Sequence, residues 1–132
     1  MTSLNGALDT HIDTLEQAYE LFLSYAAKGT DGANDSGTGT DIRMMISRAL
    51  HALDELENSA RDVAQGDAAL LAWVEVLVVD IGKSRAGIAL VDSCATISSQ
   101  LIDNLNASIH IRALLTDLFV LDEALSAKSK NA

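Results

Sequence analysis

Residues 73–79 read Trp73-Val74-Glu75-Val76-Leu77-Val78-Val79, and whether this run is strand or helix decides the fold. It is β-branched enough for a strand, and Ser108-Ile109-His110-Ile111-Arg112 alternates like one. Against that, Val74, Leu77, Ile81, Ile88 and Val91 keep helical spacing for longer than a typical strand lasts, and no hairpin signal lies nearby. The spacing predicts a helix from Ala68. It runs either to about Leu105 or to a break near Gly82 or Gly87, where glycine costs roughly 1 kcal/mol relative to alanine.

The same period extends outward in both directions. Leu8, Ile12, Leu15, Tyr19, Phe22 and Ala26 predict a first helix over about 4–28, stopped at Gly29 with Lys28 complementing its C-terminal dipole. Gly29, Gly32, Gly37 and Gly39 among Thr, Asp, Asn and Ser predict a flexible loop over 29–40. No Gly-Lys-Ser or Gly-Lys-Thr follows, so this is not a phosphate-cradling loop. Thr40 or Asp41 caps a second helix, whose buried face is Ile42, Met45, Ala49, Leu53, Leu56, Ala60 and Val63. Gly66 ends it and Asp67 starts the next. A last helix over about 106–127 buries Ile111, Leu114, Leu118, Leu121 and Leu125, and 127–132 is a polar, frayed tail. No proline interrupts any of these segments. The expectation is an all-α, antiparallel four-helix bundle with long helices, one domain over 1–132.

Composition narrows the function classes. Nine Lys plus Arg against 19 Asp plus Glu give a net charge of −10, which argues against direct nucleic-acid binding because phosphate neutralisation needs clustered cations. The first residues carry no basic segment, and the apolar run 68–82 carries Glu75 and Asp80 and is shorter than the roughly 20 residues that span a bilayer. No targeting signal and no membrane insertion are expected. A single cysteine, Cys94, excludes an internal disulfide and points to the reducing cytoplasm.

Catalytic and metal chemistry find little support. Bundle di-iron sites need Glu-x-x-His, and Leu8, Arg48 and Ala107 stand three before His11, His51 and His110. A phosphotransfer histidine needs nearby cations, whereas acidic residues follow His11 and His51; His110, followed by Arg112, suits it least badly. Nothing near Cys94 lowers its pKa, and Ser98 and Ser99 fit no nucleophile elbow. No catalytic, cofactor or metal site is expected.

Two features remain. The segments 68–82 and 109–121 are apolar almost all round, which marks a helix that is central or covered by a partner. Small residues run from Gly82 to Ala95, suited to close helix packing or to an apolar ligand between helices. The leading expectation is a non-enzymatic protein acting through protein–protein contacts, as adaptor, chaperone or structural subunit, and self-associating through Val76, Val79, Leu115, Phe119 and Val120. The alternatives are an acidic DNA mimic that blocks a basic partner through the row Asp9, Asp13, Glu16 and Glu20, and a small-molecule or cofactor-binding bundle.

Overall fold

The computed structural model describes residues 3–32 and 36–131. Five helices occupy them and no strand does: α1 (Ser3–Lys28), α2 (Ser36–Ala64), α3 (Ala68–Asp92), α4 (Ser99–Ala107) and α5 (His110–Asn131). The run at 73–79 is therefore helical. Val74 and Leu77 of the run fall on the buried row of α3 with Leu70, Ile81, Ile88 and Val91, and that row outweighs the strand preference of valine. Buried residues of all five helices join in one hydrophobic core.

Side-chain contacts tie the helices to one another. Gln17 of α1 meets Arg48 of α2, while Asp54 and Glu57 of α2 stand level with Arg85 and Glu75 of α3 through ion pairs to Arg85 and Arg61. Trp73 of α3 donates from Nε1 to the carbonyl of Asp117 in α5 at 2.9 Å. Asp67 caps α3 by accepting from the Ala69 and Leu70 N–H groups, and it also pairs with Lys128 at 2.9 Å. Lys128 first, then these N–H donors, hold the Asp67 carboxyl below its ordinary range. The caps thereby tie the start of α3 to the end of α5.

Several expected boundaries are corrected. Helix α3 passes straight through Gly82 and Gly87. Gly87 is there for packing, since a Cβ would lie 3.0 Å from Leu105 Cδ1 of α4. The break comes instead at 93–98, and a second comes at Ile109, so the last two segments are α4 and α5 rather than a helix starting at 106. Of the loop expected over 29–40, residues 33–35 lie outside the described residues and 36–40 already belong to α2. The tail expected over 127–132 is helical to Asn131, and Ala132 lies outside the described residues.

The start of that loop is docked. Ser99 N–H donates to the Thr30 carbonyl at 2.9 Å, Thr30 N–H donates to Ser99 Oγ at 3.0 Å, and the Ser99 hydroxyl donates to the Tyr25 carbonyl at 2.6 Å. The buried Tyr25 hydroxyl donates to the Ile97 carbonyl. Gly32, at φ +81°, lies so close that a Cβ would overlap the Ile97 carbonyl.

Positions 32 and 109 are both left-handed, and substitution has opposite signs at the two. Gly32→Ala adds a clash to an unfavourable φ and should destabilise by about 1–3 kcal/mol. Ile109→Gly removes a β-branched residue from φ +63° at an exposed site and should stabilise by up to about 1 kcal/mol. Urea unfolding midpoints of the two variants check both signs.

Candidate functional site

The outer side of α3 is built from residues that the core does not use. Ala72, Val76, Val79, Lys83, Ala86 and Leu90 are all exposed and recur at steps of four and three. Val79 is 56% exposed and Leu90 68%, high values for side chains that gain by leaving water. Beside α3, α5 exposes Val120. Of the residues expected at an interface, Val76, Val79 and Val120 therefore lie on the surface of α3 and α5.

Leu115 and Phe119 behave differently. Leu115 is only 6% exposed and belongs to the core, a correction that follows from its position one turn from Ile111 and Leu118. It floors a groove of about 300 Å³ between α1 and α5, walled by Phe119, Arg112, Thr116, Glu16, Tyr19 and Glu20. Phe119 is exposed but faces this groove, away from Val76 and Val79. Leu90 was missed, because it lies beyond the apolar run 68–82 that drew attention to α3.

The acidic row of α1 is not a uniform solvated stripe. Asp9, Asp13 and Glu20 are exposed, whereas Glu16 is half-buried in the groove. Partial burial, then the charges of Asp122 and Asp13 and a hydrogen bond with Asp122, hold the Asp9 carboxyl above its ordinary range. One member of the row thus spends its charge against α5.

A second acid pair lies at the seam of α3 and α5. Asp117 is 8% exposed, and its Oδ2 accepts from no N–H or hydroxyl among the described residues. Burial, then a hydrogen bond with Asp80 and the Asp80 charge, push the Asp117 carboxyl up to about 7. A carboxyl that keeps its proton leaves Oδ2 uncharged, which lowers the cost of burying it without a donor. Ser84, one turn from Asp80, is also buried with an unpartnered hydroxyl. A cavity of about 250 Å³ lined by Ile109, Arg112, Ala113, Thr116 and Asp117 opens beside the pair. Asp80 was legible only as an interruption of an apolar run; its pairing depends on a residue 37 positions away, at Asp117.

The other candidates stay apart. His11 of α1 faces α2, and burial lowers its pKa, with Glu55 opposing and His51 reinforcing the shift. Among the described residues no three His, Cys, Asp or Glu side chains are grouped to hold a metal ion. Cys94 is half-buried, with Sγ donating to the Leu90 carbonyl at 3.6 Å. No helix among the described residues is long and apolar enough to cross a membrane.

The acid pair has a pH consequence. The folded carboxyl of Asp117 titrates near 7 and the unfolded one near 3.8. As pH rises through that window the unfolded chain loses the proton first, so stability falls and then levels off above about 7. Asp117→Asn keeps the shape and donates to Asp80 at every pH. Its gain over the unsubstituted chain should be larger near pH 8 than near pH 5 in urea unfolding, and an equal difference at both would contradict the shared proton.

Comparison of the chain with protein families, with curated proteins and with solved structures finds no match.

Proposed function

We propose that this chain is a non-enzymatic interaction protein that associates with itself or with a partner helix through the outer side of α3 and α5, as an adaptor, chaperone or structural subunit does. The observation that supports it is the exposure of Val76, Val79 and Leu90 on α3 and Val120 on α5, large apolar side chains that the described helices leave between 43% and 68% exposed. The fold we infer is an antiparallel four-helix bundle in which α4 and α5 together supply one broken fourth helix along α1. Asn106 of α4 reaching the Phe22 carbonyl at 3.3 Å, and Asp122 of α5 reaching Asp9, support that reading. The lone thiol of Cys94 suits a reducing, cytoplasmic setting.

A second reading is an acidic mimic that occupies a basic nucleic-acid site. The net charge of −10 and the exposed Asp9, Asp13 and Glu20 favour it. A solvated acidic surface that keeps the protein soluble accounts for the same charge. In the ligand-binding alternative the small residues of α3 would frame a pocket, but Gly87 already admits Leu105.

Light scattering and sedimentation at micromolar concentration test the first reading. Each buried valine is worth roughly 1.5–3 kcal/mol, so Val76→Asp with Val120→Asp should dissociate the assembly while far-UV circular dichroism stays helical. Reversing Asp9, Asp13, Glu16 and Glu20 to Lys separates the second reading, since only a mimic then loses its partner, with steep salt dependence.

A further inference from the structure

The exposed row of α3 is a heptad seam. Ala72, Val76, Val79, Lys83, Ala86 and Leu90 alternate steps of four and three, which is the a/d repeat of a two-stranded coiled coil and is continuous over about 27 Å of helix. With Val76, Lys83 and Leu90 at a and Ala72, Val79 and Ala86 at d, the seam carries one charge, a lysine, although the chain as a whole is at −10. Two such chains repel each other through most of their surface, and this row holds no carboxylate. Lys83 has no ion-pair partner among the described residues.

Building on the self-association reading above, we propose that the partner on this face is a second copy of the chain, with the two α3 helices antiparallel about a two-fold axis level with Ile81. In that register Leu90 of one copy meets Ala72 of the other, Val76 meets Ala86, and Lys83 meets Val79. Each large side chain faces a small one, and the lysine stem crosses a valine. Sliding the pair by one heptad in either direction leaves two of the six positions unmatched. A parallel pair is excluded by charge, because it sets Lys83 against Lys83 and Ala72 against Ala72.

Symmetry also places the flanks. Asp80, one residue beyond Val79, lies on the same side of the seam as Lys83. The two-fold axis brings the Lys83 ammonium of each copy beside Asp80 of the other, and two ammoniums and two carboxylates alternate there. The α3–α5 seam supplies no such cation to Asp80: it faces Asp117, and the nearest base of α5, Arg112, is five residues from Asp117 and opens on the neighbouring cavity. Gly82 lies on the opposite flank at the level of the axis, with open space where a Cβ would stand, so the two backbones approach closely there.

The test uses charge order at one exposed position, read by sedimentation equilibrium of the full chain. Val79→Lys faces the second copy's Lys83 and should weaken association at least about tenfold, whereas Val79→Glu faces it favourably and should bind at least about tenfold more tightly than Val79→Lys. Val79→Lys combined with Lys83→Glu should recover most of the loss. Net charge alone predicts the reverse order, since the lysine variant is the less negative. Circular dichroism confirms that each variant folds. If the glutamate variant associates no better than the lysine variant while the unsubstituted chain self-associates, the antiparallel pairing is overturned and the self-association reading stands through another face. If the unsubstituted chain stays monomeric to about millimolar concentration, both fall.

Discussion

Everything in this fold hangs on how the C-terminal end of α3 is satisfied. A helix leaves its last carbonyls without intrahelical partners; here the Ser93 and Cys94 N–H groups take those of Ala89, Leu90 and Val91, and one side chain from another helix takes the carbonyls of Asp92, Cys94 and Ala95. Arg43 of α2 donates from Nη1 to the Asp92 carbonyl at 2.8 Å and from Nη2 to the Cys94 and Ala95 carbonyls at 2.5 and 3.1 Å, with Asp92 Oδ1 at 3.3 Å. The guanidinium's fan of donors suits three carbonyls that turn away from a helix axis. From the other side Tyr25 and Ser99 fasten the same corner to α1. The corner decides where α3 stops, where α4 begins, and so which face of α4 meets α1.

That dependence explains what the sequence made legible. The long helices could be read because their apolar residues repeat locally: Leu8 to Phe22, Ile42 to Ala60, Leu70 to Val91. The breaks could not. Glycines 82 and 87 looked like the weak points of α3, yet packing carries the helix through both, and the real end is set by Arg43, 49 residues from Asp92. Ile109 gave no signal either, since a β-branched residue is a poor candidate for a left-handed position. The surface was half legible. Periodicity separated Val76 and Val79 from the core row, but it left Leu115 on the wrong side, because on a helix apolar almost all round the inward direction is set by neighbours.

Charge is arranged in this molecule with a similar economy. The arginines 43, 61 and 85 are all committed to joining α2 with α3 or its corner. Arg61 bridges Glu57 and Glu75, and Arg85 holds Asp54 below its ordinary range through a hydrogen bond at 2.6 Å. These pairs are exposed and contribute little individually. Elsewhere carboxyls meet carboxyls, Asp9 with Asp122 between α1 and α5 and Asp80 with Asp117 at the α3–α5 seam.

The corner also shapes the order in which the chain can assemble. Tyr25 and Ile97 are 72 residues apart, and Ser99 is 74 from Tyr25. Loop closure over such a span grows only slowly costlier with length, by about 0.6 kcal/mol per doubling, but its reward arrives only once α1, α2 and α3 have already aligned. Consecutive helices joined by short turns form earlier. With no proline anywhere in the chain, prolyl isomerisation supplies no slow step. Docking of α4 on α1, the event that seats Ile97 and Ser99, is then the natural late step of folding, and its reversal is the first large opening available to the native state.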